Sequence, residues 1–456
     1  MLPEPTLSFT LPSLHDDTVL DCRVYHCRAL NPAASNPSPW KRHAAVIAHP
    51  YAPLGGSYDD PIVDIIAATL LRQGFLVGTF NFREAFDSVA NTMVHDRGAA
   101  GSAGRTSWTA KPERSDYMSF VGFLVYYMHF LDPYRPAATP SPTTTRTTST
   151  AGAQTKSSSS EHPLLLLSGY SYGAMITTQI PPMSQILAQF KLPAAGSAAA
   201  DIRLRAQHLA EQQNVILASA RAASSMSPRK KYFGMRVGGD EDTQRKSHEA
   251  RRSISETRRS FSIDAEDKIR RGVSELLAKT KRHHHKGVAV TQEKLETIPS
   301  NHEVSVVVEE VADLTRVRPA YLLISPLQGV ITHLATMSFL PAAPGRGLFS
   351  RAGKPRDQGA PAFTTDHRQM SESKLVENET LALFGDRDIF VPVAKLRAWA
   401  GRLEGVEGSH FHGEEIPSAG HFWTEGTVVQ VLRDKVCDFA ARLLQGDSED
   451  VVTSES

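Results

Sequence analysis

The sequence predicts an α/β fold: a mostly parallel sheet with helices on both faces, interrupted by a large, partly disordered insertion. Three observations lead there. Short apolar runs alternate with helical periodicity over residues 43–182 and again over 320–444. A glycine-flanked serine stands where one of those apolar runs gives way to a helix. Between the two regions lies a Ser-, Arg- and Lys-rich stretch with few large apolar residues, too few to bury the surface that ordering requires.

Taken in order, Leu7–Leu11 and Val19–Ala29 read as strands, and His43–His49 has the pattern of a buried strand ending at Pro50. Asp60 to Gln73 carries Ile62, Ile65, Ile66 and Leu70 at helical spacing and stops at Gly74, a natural C-terminal cap. Phe75–Phe80 is again a short strand, Glu113–Leu131 a helix, and Leu164–Leu167 a buried strand. Pro136–Ser160 is almost all Pro, Thr, Ser and Ala and predicts a flexible excursion. Met183–Arg318 departs from the sheet pattern, with helical spacing over Asp201–Ala220, which could cap a pocket, and over Ala265–Lys279. Strands resume at Ala320–Ile324, Thr380–Phe384 and Ser409–Ile416, and an amphipathic helix closes the fold from Glu425 to Leu444. The division is therefore 1–182 and 319–444 as two parts of one domain, 183–318 as the insertion, and 445–456 as a disordered acidic tail.

Composition narrows the function classes. A formal net charge of +1 over 456 residues gives no reason to expect nucleic acid as a partner. The apolar stretch Phe120–Leu131 is too short to span a bilayer, so no stable membrane span is expected. The N-terminal Met1-Leu2-Pro3-Glu4-Pro5 lacks the basic and apolar regions of a signal peptide, which predicts a cytoplasmic protein. Three cysteines, Cys22, Cys27 and Cys437, make no disulfide framework, and the first two read as ordinary residues of one strand. His283-His284-His285 has no carboxylate or cysteine arrangement beside it and reads as solvated low complexity, so neither metal nor cofactor is expected.

Gly169-Tyr170-Ser171-Tyr172-Gly173 fits G-x-S-x-G, with four leucines before it as a strand and Ala174-Met175-Ile176 after it as a helix start. That strand–turn–helix setting lifts a serine hydroxyl clear of a sheet. A serine needs a base, and the base a carboxylate, in the chain order Ser, acid, His. Gly385-Asp386-Arg387-Asp388 follows one strand and Ala419-Gly420-His421-Phe422-Trp423 another. Each has a plain alternative, a helix-capping aspartate and a loop histidine. Donors for an oxyanion are expected from the backbone N–H of Tyr172 and from the turn after His49, where Pro50 has no N–H and Tyr51 is next.

His49-Pro50, Gly55-Gly56, Asn81-Phe82-Arg83, the Ser171 turn, Gly385-Asp386-Arg387-Asp388 and Gly420-His421-Phe422 together resemble the α/β-hydrolase superfamily, and within it a group of small serine hydrolases. The resemblance covers roughly 43–182 and 320–444. It implies a triad of Ser171, Asp388 and His421, with Asp386 as the other choice of acid, acting on a small acyl substrate without metal or cofactor. The chain departs from the group where relatives continue N-F-R-G, since Glu84-Ala85-Phe86 follows Arg83 here. An ester, thioester or similar acyl bond is the expected target; acyl transfer, peptide cleavage or a non-catalytic scaffold are the alternatives. Within 221–300, Arg251-Arg252-Ser253-Ile254-Ser255 and Arg258-Arg259-Ser260-Phe261-Ser262 make Ser255 and Ser262 candidate phosphorylation sites for a kinase, or a docking loop for a protein partner. A merely solvated basic loop explains the same residues.

Overall fold

The apolar runs of the sequence become the strands of one sheet. The structure, a computed structural model, describes residues 1–30, 40–83, 110–132, 162–225, 307–327 and 372–449. All of these fall in one compact unit made of Met1–Ser225 and Ser305–Ser456. The expected helix 265–279, the histidine run at 283–285, Ser255, Ser262 and the excursion 136–160 lie outside the described residues.

Among the described residues eight strands pair in the order β1-β2-β4-β3-β5-β6-β7-β8. They are β1 (Leu7–Pro12), β2 (Val19–Tyr25), β3 (Ala44–Ala48), β4 (Leu76–Phe80), β5 (Leu164–Tyr170), β6 (Arg318–Ile324), β7 (Thr380–Arg387) and β8 (Phe411–Gly420). The β1/β2 and β2/β4 pairs are antiparallel and every other pair is parallel. This is the mostly parallel sheet that the sequence predicts. From β3 the chain steps outward to β4 and then returns across β3 to β5. The connections after β3 and β5 therefore diverge, and a crevice opens at the carboxyl ends of these two neighbouring strands.

Helices cover both faces. On one, α1 (Pro61–Arg72) and α7 (Val428–Glu449) pack Ile66, Leu70, Leu432 and Phe439 onto Ile47, Val77, Leu166, Leu322 and Leu383. Helix α1 starts where the Asp60 carboxylate accepts from the N–H groups of Ile62 and Val63, and Pro61 fills a position with no N–H to satisfy. The other face carries α2 (Lys111–Phe130), whose Phe120 ring stacks on Phe80, together with α3 (Tyr172–Gln179) and α6 (Val393–Glu404).

Several expected boundaries move. Strand β2 ends at Tyr25, because the chain tightens into a 3-10 turn over Arg28–Leu30, so Cys27 lies beyond the strand that holds Cys22. Strand β8 continues to Gly420 and delivers His421 at its very end. Helix α7 runs one turn past Leu444 to Glu449, since adding hydrogen bonds to an existing helix costs little even for polar residues.

The expected helix 201–220 lies within α5 (Ala198–Ser225), which follows α4 (Met183–Lys191). Its stripe of Ile202, Ala206, Leu209, Ala210 and Leu217 is buried. Arg205 donates to Thr10 O at 2.9 Å, and Asn214 donates to Phe130 O at 2.8 Å. The described partners of α5 thus include α2 and edge strand β1, four positions from β5 in the sheet. Among the described residues no helix is long and apolar enough to cross a membrane.

Candidate active site

Strand β5 is buried along its whole length and ends in a reversal at Ser171, whose φ of 57° and ψ of −112° lie outside the regions an L residue prefers. Such a conformation costs about 1–3 kcal/mol and persists only when its surroundings over-determine it. Here Ser171 N–H donates to Ile324 O on β6 at 2.8 Å, while Ser171 O accepts from Met175 N to start α3. The flanking glycines are demanded by packing. A Cβ on Gly169 would sit 2.3 Å from the Gly173 carbonyl carbon, and one on Gly173 would sit 2.4 Å from Ala48 O.

His421 reaches this turn from β8. Its Nε2 is 2.7 Å from Ser171 Oγ, and its Nδ1 is 2.7 Å from Asp388 Oδ2. A carboxylate accepts, so Nδ1 carries the ring proton and Nε2 is left to accept from the serine hydroxyl. The ring is buried, with Phe390 edge-on at 4.6 Å, and the Tyr170 hydroxyl donates to His421 O at 3.0 Å. Below it, Trp423 Nε1 donates to Ser325 Oγ at 3.0 Å and seats the loop.

Asp388 is the acid that the structure brings to His421. Its side chain is fully buried, and its other oxygen accepts from the N–H groups of Phe390 at 2.8 Å and Val391 at 3.0 Å. Those N–H groups precede the next helix, which starts at Val393 after Pro392 with no side-chain cap, so Asp388 closes the turn before that helix and does not cap it. Asp386 ends up exposed on β7.

Several solved structures align along the chain. They include an α/β serine hydrolase homologue from Coxiella burnetii (11% identical, 96% of this chain and 99% of that chain, TM-score 0.38). An α/β serine hydrolase without lid from Xanthomonas campestris is 14% identical, covers 97% of each chain and has a TM-score of 0.37. An esterase from Pyrococcus furiosus is 10% identical over 96% of this chain and 91% of that one, also with a TM-score of 0.37. No family model and no curated protein matches the sequence.

The two residues expected to supply oxyanion donors are neighbours through their rings. Tyr172 is the first residue of α3, where an N–H has no intrahelical partner and the helix dipole favours negative charge. Tyr51 opens the turn after β3, its carbonyl accepts from Leu54 and Gly56 N–H groups at 3.1 Å each, and its ring lies 5.0 Å from that of Tyr172.

Two supporting groups stand among the motif residues, and their roles emerge only in the fold. Arg83 is buried and donates to both oxygens of Asp116 (2.9 and 2.6 Å), both of Asp16 (2.8 and 3.1 Å) and Ser13 Oγ (3.1 Å). The guanidinium pulls the Asp16 carboxyl down to about 2, whereas burial pushes the fully enclosed Asp116 upward against the pull of Arg83 and Ser13. His49 is also fully buried. Phe82 N–H donates to its Nε2 at 2.8 Å, so the ring is neutral and its Nδ1 donates to Pro50 O at 2.5 Å.

Burial lowers His49 to about 4. The unfolded chain takes up this proton below about pH 6.5 and the folded chain only below about 4, so stability falls as pH drops through that window. A shift of this size corresponds to about 3 kcal/mol. Burial lowers His26 to about 4 as well, so denaturant unfolding of the wild type at pH 7.5 and pH 4.5 should differ by more than that amount, and His49→Asn should reduce the difference by about 3 kcal/mol. An unchanged difference in the variant would place the titration elsewhere. Among the described residues no group of three or more His, Cys, Asp or Glu is placed to hold a metal ion.

Proposed function

We propose that the protein is a serine hydrolase that cleaves an ester, thioester or similar acyl bond, in the manner of a carboxylesterase. The observation that carries this reading is the unbroken chain Ser171–His421–Asp388, with 2.7 Å at each link, on a strained strand-to-helix turn. Such a chain needs the serine, the tautomer and the carboxylate all correct at once.

Ser171 Oγ attacks the carbonyl carbon as its proton passes to His421 Nε2. The negative oxygen that develops is held by the N–H groups of Tyr172 and Tyr51. Collapse of the tetrahedral intermediate breaks the bond to the leaving group, which takes the proton from Nε2 and departs. Ser171 is then acylated. Water, deprotonated by the same Nε2, attacks this acyl-enzyme and releases the acid, and the proton returns to Ser171. Asp388 keeps its charge throughout and stabilises the imidazolium formed in each half.

Two large apolar side chains near the triad are exposed: Phe422, whose ring lies 5.5 Å from that of His421, and Ile389, next to Asp388 in the chain. This favours substrates with a hydrocarbon portion. The test is labelling of purified protein with a fluorophosphonate, which reports an activated serine rather than a particular substrate. Wild type should be labelled and Ser171→Ala should lose the label completely. Labelling that survives in the variant, or a folded wild type that neither labels nor hydrolyses a short-chain ester, would overturn the reading. Adding amine or alcohol acceptors to the ester assay separates hydrolysis from acyl transfer.

A further inference from the structure

We propose that His49 is a positioning residue for the oxyanion hole: it holds the Pro50 carbonyl and thereby aims the Tyr51 N–H of the same peptide unit. This rests on the reading of Ser171 as nucleophile and deepens it.

A peptide unit is planar and trans, so its C=O and N–H point in opposite directions. The carbonyl of Pro50 and the N–H of Tyr51 belong to one such unit. Fixing the oxygen therefore fixes the hydrogen at the other end. His49 Nδ1 fixes it with a hydrogen bond of 2.5 Å. Without that anchor, rotation about the bonds flanking the unit could turn the N–H away and present a carbonyl oxygen to the oxyanion, exchanging attraction for repulsion.

The anchor is itself held from behind. Nε2 accepts from Phe82 N–H at 2.8 Å, and the Phe82 ring lies edge-on to the imidazole at 5.0 Å. The residues on either side of Phe82 are tied elsewhere, Asn81 Oδ1 accepting from Tyr58 N–H at 2.8 Å and Arg83 gripping Asp116. From the front, Gly56 closes over the same unit so tightly that a Cβ there would lie 2.3 Å from Pro50 O. The carbonyl of His49 meanwhile packs on the backbone of α3, where a Cβ on Gly173 would lie 2.7 Å from His49 O. The Tyr51 and Tyr172 donors come from separate segments, yet an oxyanion hole needs both aimed to within about 0.5 Å. The His49 contacts reference one segment to the other.

Two substitutions separate the bonds of the ring. His49→Asn places an amide N–H where Nδ1 stood and can keep the Pro50 anchor. His49→Gln places an acceptor where Nε2 stood, and can keep Phe82 while releasing Pro50. On a short-chain ester, His49→Gln should lower kcat by about 100-fold with KM changed less than about threefold, whereas His49→Asn should stay within about fivefold of wild type. A thionoester of the same acid supplies the readout that mere loosening would not move. Its large, weakly accepting sulfur gains little from N–H donors, so its kcat in His49→Gln should fall by less than about fivefold.

Should His49→Gln fail to fold, Gly56→Ala displaces the same peptide from its other side and should show the same selective loss on the ester. Equal losses on ester and thionoester, or no loss in His49→Gln, would overturn the proposal while an active wild type leaves the serine-hydrolase reading standing. A wild type inactive on every ester would instead remove both.

Discussion

Asp388→Asn is expected to lower kcat on a short-chain ester by about 10,000-fold, with KM little changed, while Asp386→Asn stays within about twofold of wild type. The reason is the tautomer. Asp388 accepts two backbone N–H groups on one oxygen and faces His421 Nδ1 with the other. An asparagine would keep its carbonyl oxygen toward Phe390 and Val391, because only an oxygen can accept from them. Its NH2 would then face Nδ1 and donate to it, forcing the ring proton onto Nε2. A ring protonated at Nε2 cannot take the proton of Ser171, although packing and substrate contacts survive. Asp386 has an exposed side chain on β7, and its replacement removes one solvated charge. Steady-state kinetics on the two variants decide the matter, and the opposite ranking would sink the assignment of the acid.

How much of this was legible in the sequence depends on how far each residue's partner lies along the chain. The turn at Ser171 was readable because its requirements are local: an apolar strand, two glycines and a helix start within a few residues. The choice between Asp386 and Asp388 was not. A register shift between Gly385 and Arg387 on β7 intervenes at this point, and spacing alone does not reveal a bulge or where it re-aims a side chain.

His49 and Arg83 show the same limit from another side. Both were visible as motif letters, but the N–H that fixes His49 belongs to Phe82, 33 residues on, and Ser13 meets Asp116 across 103 residues. Only the folded sheet brings these together. For α5 the buried stripe was readable as a helix, whereas its partners were not, since an apolar face announces burial without naming what buries it. The boundaries that moved, at Tyr25, Gly420 and Glu449, are strand and helix ends, where pairing and cooperativity outweigh local preference.

Arg83→Met should destabilise the protein by about 3–5 kcal/mol, the largest stability loss expected of any single substitution considered. The magnitude comes from Asp116 rather than from Asp16. Asp16 is largely hydrated, so losing its bond to Arg83 costs little. Asp116 has no exposed surface, and two guanidinium bonds, one serine bond and the backbone N–H of Arg83 offset its desolvation. With methionine at position 83 the carboxylate must either remain charged with only the Ser13 hydroxyl and the backbone N–H of residue 83 as partners or take up a proton, and both are expensive in that setting. Replacing the pair together as Arg83→Met with Asp116→Leu removes the buried charge along with its partner, so much of the loss should return. Urea unfolding of the two single variants and the double variant gives the coupling directly. A single-variant loss below about 1 kcal/mol would show that the network is hydrated and that the segment carrying Phe82 does not depend on it.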